Sequence, residues 1–242
     1  MKVVAIIQAR MGSTRLPGKI LKEINGRPLL SYQLDRLKAS KFIDEIVIAT
    51  TTEIQDDNVV AFCEQQGVSY YRGSEMDVLA RYYDTAVKFK ADAIVRITSD
   101  CPIIDVQVVD KTIEYFLESD HYDYVSNTVE RTYPRGLDTE IFTFAILEKA
   151  YKEASLERDR EHVTAYFYTN QDVFKIGHIK NETDYSKYRW TVDTEEDFKL
   201  IKNIIDALYA KNSQFTLQDT VNIMEENLEW FNINAHIEQK KL

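Results

Sequence analysis

Cysteine is nearly missing from this 242-residue chain: Cys63 and Cys101 are too few for a disulfide framework or a cysteine zinc site, and the expected compartment is the cytoplasm. Long apolar runs are missing too, since nothing approaches the roughly 18 residues of a membrane span. The run at residues 3–7 is too short for a signal-peptide core and is followed at once by Gln8 and Arg10. Bases are outnumbered, 30 Lys and Arg against 40 Asp and Glu, and the net charge of −10 argues against nucleic acid or an anionic membrane as partner. Glycine and proline are scarce, at 7 and 4. All four prolines (Pro17, Pro28, Pro102, Pro134) fall in loop signals, each within two residues of a charged side chain, which marks those loops as shaped for a site.

What remains is ordinary for a soluble globular protein, 44% hydrophobic and 29% charged, and long enough to bury a core unaided. The charge is unevenly spread. Lys2, Arg10, Arg15, Lys19 and Lys22 precede the first acid, Glu23, leaving 25 bases against 40 acids in the rest. A cationic opening on an anionic body suits a small, highly charged anion.

The pattern alternates strand and helix through the first half. Residues 3–7, 46–50, 68–71 and 93–98 read as strands, and 28–40, 57–66 and 76–89 as helices with apolar stripes at 3.6-residue spacing. Such an order predicts a mainly parallel sheet with helices on both faces. From about residue 120 the rhythm changes: strands are expected at 122–127, 137–142 (antiparallel or edge), 173–179 and 188–192. Helices are expected at 143–154, 158–170, 195–209 and 216–228, before a polar tail ending Gln239-Lys240-Lys241. One domain is expected over 1–242, with a less regular insertion at 128–188.

The first strand runs into Gln8-Ala9-Arg10-Met11-Gly12-Ser13-Thr14-Arg15-Leu16-Pro17-Gly18-Lys19-Ile20, at the strand end where open α/β sheets place ligands. Gly12 and Gly18 let backbone approach a phosphate, Ser13 and Thr14 add hydroxyls, and Arg10, Arg15 and Lys19 supply charge. It is neither a Walker A loop, having five residues between glycines and Ile20 after the lysine, nor a Gly-x-Gly-x-x-Gly turn. A solvated basic turn is the plain alternative.

This segment resembles the signature of the CTP-dependent sugar cytidylyltransferases, the group of the KDO and acylneuraminate activating enzymes, and most closely their SpsF-type branch of spore-coat and surface polysaccharide synthesis. The likeness extends through Val95-Arg96-Ile97-Thr98-Ser99-Asp100-Cys101-Pro102, Tyr133-Pro134-Arg135-Gly136-Leu137-Asp138-Thr139-Glu140 and Trp190-Thr191-Val192-Asp193-Thr194-Glu195-Glu196-Asp197. The KDO branch has Gln-Gly where this chain has Thr98-Ser99. The resemblance implies a Rossmann-like α/β fold of the nucleotide-diphospho-sugar transferase type, a homodimer contacting through 128–188, and transfer from CTP to a sugar, giving a CMP- or CDP-sugar and pyrophosphate. It also implies nucleotide contacts from Ala9, Arg10, Met11, Gly12, Ser13, Arg15, Lys19, Asp77, Arg81 and Ser99, with Arg15 and Lys19 catalytic.

A nucleotidyl transfer must neutralise a triphosphate, which Mg²⁺ held by one or two carboxylates does. Asp100 and Asp193 each end an expected strand, and the resemblance makes them the Mg²⁺ ligands. A turn role for Asp100 and a helix cap for Asp193 are the competing readings, although Thr194 and Asp197 already form a capping pattern. On the helix at 76–89, Asp77, Arg81 and Asp84 fall at i, i+4 and i+7 opposite the apolar face, as an exposed ion pair or beside the cytosine or ribose. Asp138 and Glu140 share a strand face, with Arg135 at the turn, as acceptor-binding candidates or a solvated face. His162 is an acceptor or base candidate, or structural. Cys101 lacks a paired histidine for nucleophilic chemistry. The enzymatic rival is a glycosyltransferase consuming a sugar nucleotide on a related sheet; the non-enzymatic one is a nucleotide-binding module without turnover.

Overall fold

Successive residues of an extended chain face opposite sides of a sheet, and both sides of the first strand are apolar. In the computed structural model, which describes residues 1–119 and 121–239, β1 (Val3–Gln8) sends Val3, Ala5 and Ile7 into one core layer and Val4 and Ile6 into the other. The Lys240-Lys241 end of the polar tail lies outside the described residues. A small hairpin, β2 (Glu23–Ile24) with β3 (Arg27–Pro28), enters α1 (Leu29–Leu37). β4 (Glu45–Thr51), α2 (Asp57–Gln66), β5 (Ser69–Gly73), α3 (Val78–Phe89) and β6 (Ala93–Thr98) then keep the expected rhythm. The four long strands run parallel in the order β5-β4-β1-β6. α2 stops at Gly67, whose left-handed φ of 61° suits glycine.

α4 (Val106–Leu117) is absent from the expected elements. Its buried Val108, Val109, Thr112, Ile113 and Phe116 have helical spacing, and Asp105 caps it by accepting the Gln107 N–H at 2.8 Å. β7 (Tyr124–Ser126), β8 (Glu140–Thr143), α5 (Phe144–Glu153), α6 (Glu157–His162), α7 (Ala165–Tyr168) and β9 (Ile176–His178) follow. Among the described residues they complete a seven-stranded sheet, β5-β4-β1-β6-β8-β7-β9, in which β8 runs antiparallel to both neighbours and is interior, not an edge.

Two expectations fail for local reasons. The helix expected over 158–170 is cut at Val163, whose φ of 51° and ψ of −67° no helix accepts; Thr164 N–H donates to the His162 carbonyl across it at 2.5 Å. Residues 188–192 are extended but join no strand ladder. Their amides go to loops, Trp190 to the Arg135 carbonyl at 2.7 Å and Val192 to that of Asp100 at 2.8 Å.

α8 (Glu195–Leu208), α9 (Leu217–Glu226) and α10 (Phe231–Asn234) close the chain. α1, α2, α4, α8 and α9 pack on one face of the sheet, and α3, α5 and α7 on the other. No helix among the described residues is long and apolar enough to cross a membrane. Because Gln8 pairs in register with Ala49 and Thr98, the loops after β1, β4 and β6 leave one sheet edge side by side.

Candidate active site

The loop after β1 folds on itself before it meets anything else. Ser13 and Gly18 amides both donate to the Met11 carbonyl, at 2.9 and 3.0 Å, and Gly18 takes a left-handed φ of 68° to turn the chain into Lys19. The Met11 amide is held from outside, donating to Asp56 Oδ1 at 2.6 Å, while Asp56 also accepts the Thr51 hydroxyl. Ala9 is buried against β4, its amide bonded to the Ala49 carbonyl. Gly12 is closely approached: a Cβ there would lie 3.1 Å from Gln55 Nε2 and 3.3 Å from Glu75 Oε1, so both side-chain tips would have to shift slightly. Glu75 accepts from Arg10 at 3.1 Å on the exposed rim.

The centre is Lys19. Its Nζ lies 3.1 Å from Asp100 Oδ2 and 2.7 Å from Asp193 Oδ1, bringing together residues 81 and 174 positions apart. Arg15 reaches Asp193 Oδ2 at 3.0 Å, so four of the sequence-predicted residues form one cluster. Burial opposes the charge on Lys19, but the two carboxylates outweigh it and raise its pKa above the usual lysine value. Burial likewise works to raise the Asp100 carboxyl, yet Lys19, the Thr98 hydroxyl at 2.6 Å and the Cys101 thiol hold it down at about 2. The Cys101 thiol is pushed well above its ordinary value by burial and then by Asp100, the wrong direction for a nucleophile. Ser99, also buried, bonds its amide to the Gln8 carbonyl, tying the Asp100 loop to β1.

Asp193 is steadied by Arg189, which sequence reasoning missed, and by Asp197, legible there as a cap but not as an ion-pair partner. Arg189 donates to Asp193 Oδ2 at 2.7 Å and to both oxygens of fully buried Asp197, at 2.9 and 3.1 Å. Asp197 also accepts the amides of Asp193 and Thr194, closing the capping box of α8. Asp193 thus stands one residue outside the cap. The available signal was the Arg189-x-x-x-Asp193 spacing, which puts both on one side of an extended segment.

Two carboxylate oxygens converging on a single cation position are hard ligands of the kind Mg²⁺ takes. Among the described residues no three His, Cys, Asp or Glu side chains gather to hold a metal, so phosphate oxygens and water would complete its shell.

Beside Lys19 opens a cavity of about 560 Å³ lined by Asp100, Asp193, Arg135, Asp138, Glu140 and His162, among others. All four acceptor candidates therefore face one space. Their pairing differs from the simple expectation: Asp138 is forked by Arg131 at 2.6 and 3.0 Å, and Glu140 binds Arg96 and the Tyr124 hydroxyl. Among the described residues no carboxylate lies within ion-pair distance of the Arg135 guanidinium. Burial, then neighbouring Arg131, depresses its pKa.

α3 corrects the sequence reading. Asp77 and Arg81 are not an exposed i,i+4 pair: Asp77 caps the helix by accepting the Ala80 N–H at 2.9 Å and binds Arg160 of α6. Arg81 is only 2% exposed, its stem packed against Gly73, and donates to the Ser74 carbonyl at 2.6 Å. Its burial holds the guanidinium below its ordinary pKa.

Residues 4–231 match the family model described as cytidylyltransferase. The chain is 35% identical to the spore coat polysaccharide biosynthesis protein SpsF of Bacillus subtilis over 86% of its own length and 87% of that protein's. A solved cytidylyltransferase from Leptospira borgpetersenii is similar throughout, 39% identical with a TM-score of 0.92 over 100% of both chains. At 18% identity, CMP:2-keto-3-deoxy-manno-octonic acid synthetase complexed with CTP shares the fold, with a TM-score of 0.66 over 85% of this chain and 99% of that one. With the cationic loop, the paired acids and the sheet in place, the match is one of sequence and architecture alike: the chain belongs to the cytidylyltransferase family.

Proposed function

We propose that the protein transfers CMP from CTP to a sugar in a Mg²⁺-dependent reaction, releasing pyrophosphate and a CMP- or CDP-sugar for surface or spore-coat polysaccharide. The carrying observation is the convergence of Lys19 and Arg15 on Asp100 and Asp193 at the mouth of the cavity that holds Arg135, Asp138, Glu140 and His162. The SpsF relative supports the polysaccharide assignment, and the CTP complex of the fold relative supports the nucleotide.

In this reading the triphosphate lies on residues 9–19, with Arg10, Gly12 and Ser13 along it and Asp77, Arg81 and Ser99 on the nucleoside side. Asp100 and Asp193 would hold Mg²⁺, which neutralises polyphosphate charge when bound. An acceptor oxygen attacks the α-phosphorus in line as pyrophosphate departs. Arg15 and Lys19 stabilise the charge that develops, so positioning and electrostatics dominate and no covalent intermediate forms. Arg135, which has no carboxylate within ion-pair distance among the described residues, suits an anionic group on the acceptor, while Asp138, Glu140 and His162 meet hydroxyls. The unpaired thiols Cys63 and Cys101 fit a cytoplasmic protein. The segment 128–188 serves the acceptor side and a homodimer contact.

The test is pyrophosphate release with CTP, Mg²⁺ and a panel of acidic sugars and sugar phosphates. Release dependent on both CTP and acceptor supports the reading. Glycosyl transfer from a nucleotide sugar, or nucleotide binding without release, refutes it. Competition among the four nucleoside triphosphates tests the preference for cytosine.

A further inference from the structure

Of the four carboxylate oxygens of Asp100 and Asp193, two are taken by groups other than Lys19. Asp100 Oδ1 takes the Thr98 hydroxyl at 2.6 Å, and Asp193 Oδ2 takes Arg15 at 3.0 Å and Arg189 at 2.7 Å. That leaves Asp100 Oδ2 and Asp193 Oδ1, and both point at Lys19 Nζ, 3.1 and 2.7 Å away. The ammonium therefore sits at the place where a divalent ion would bind both carboxylates. Two cations cannot share it.

The surrounding charges differ in how freely they move. Arg189 is pinned by Asp197 through two hydrogen bonds and is buried, so it stays with Asp193. Lys19 is a point charge on a flexible four-carbon stem, and among the described residues its tip is held by these two acids. A triphosphate on the loop at residues 9–19 would offer that tip a new anionic partner. We propose that Lys19 and the divalent ion exchange one position, and that a bound triphosphate drives the exchange by drawing the ammonium away. Metal and nucleotide binding are then coupled, and by linkage each strengthens the other by the same factor. The exchange presupposes Asp100 and Asp193 as the metal ligands proposed above.

The test measures Mn²⁺ binding to the full chain by electron paramagnetic resonance, with and without CTP, the CTP–Mn²⁺ complex titrated alone as baseline. For the native chain, CTP should tighten Mn²⁺ binding by about tenfold or more, within the usual range of coupling between sites. Lys19→Met and Lys19→Gln should each bind Mn²⁺ without CTP about tenfold tighter than the native chain, and gain little from CTP. Lys19→Arg, which keeps the charge, should bind Mn²⁺ alone as weakly as the native chain. Thermal melting checks the fold: both neutral variants should melt lower and recover on Mn²⁺ alone, because the ion replaces the missing ammonium. Mn²⁺ affinities of the neutral variants within about twofold of the native value, with Asp100→Asn still abolishing binding in the presence of CTP, would overturn the exchange and leave the metal assignment standing. Absence of Mn²⁺ binding even with CTP, or binding indifferent to Asp100→Asn, would overturn both.

Discussion

Lys19 bridges Asp100 and Asp193, two acids that lie far apart in sequence. Removing it or one of its partners should hurt chemistry more than folding. Lys19→Ala and Asp100→Ala should each lower turnover by about 10²–10³-fold, as loss of a charge stabiliser does elsewhere, with unchanged circular dichroism. Near-normal rates in either variant would refute the assigned role. The cysteines behave oppositely. Burial pushes the Cys63 thiol up to about 12, and Cys101 is raised as well. A thiol reagent at pH 8 should label neither in the folded protein and both after unfolding. The sign of the pH effect follows: above pH 9 the unfolded Cys63 loses its proton while the folded one keeps it, so the unfolded state binds fewer protons and stability falls. Denaturant titrations between pH 9 and 11 should show a loss of up to about 1.4 kcal/mol per pH unit from this group, and Cys63→Ser should lose less over the same interval.

At the scale of elements, the segment carrying Asp193 is held in place by loops, since it belongs to no strand ladder. Gly136 passes so close to it that a Cβ would sit 2.5 Å from the Trp190 carbonyl carbon and oxygen, and its φ of 100° excludes other residues independently. Gly136→Ala should therefore cost about 2 kcal/mol or more, read by thermal melting, and should displace Arg135 and Asp193 together. Asp197→Asn tests the opposite side of the same segment. It strips the charge from a buried pair with Arg189, and a loss of about 3–5 kcal/mol is expected. A change under 1 kcal/mol, about the value of an exposed pair, would show that the pair does not hold the segment. Val163 marks a comparable strain on the far wall: a β-branched residue at positive φ separates His162 and Thr164, both of which line the cavity.

Across the whole molecule, charge and topology act together. The net charge of −10 disfavours polyanions, and the bases that follow β1 are each paired with an acid, Arg10 with Glu75, Arg15 and Lys19 with Asp193, and Lys22 with Glu195. A duplex oligonucleotide should show no binding at physiological salt by fluorescence anisotropy. The proposed homodimer predicts a light-scattering mass twice 28.2 kDa. A mass of 28.2 kDa would remove the dimer contact assigned to residues 128–188.

The alternation of strands and helices through residue 98 was legible because burial on both faces of a parallel sheet leaves continuous apolar runs, and because helix stripes recur at fixed spacing. The loop at residues 8–20 was legible for a different reason, its bases and glycines being adjacent in sequence. The same holds for the acids that close strand-like runs, Asp100 and Asp193. The chain by itself thus determined the sheet's parallel half, the cationic loop and the place of the two acids at the ends of extended runs. Only the tertiary structure decided what those acids meet. Arg189, Asp56, Arg131 and Arg160 gain their roles from partners set by folding: Asp197, the Met11 amide, Asp138 and Asp77. Arg81 reads as an exposed helix charge and is buried, since helical spacing fixes which residues share a face but not what packs against that face. The physical reason is one of range: periodicity and backbone preference act over a few residues, whereas Lys19 meets Asp193 across 174 positions that only chain packing brings together.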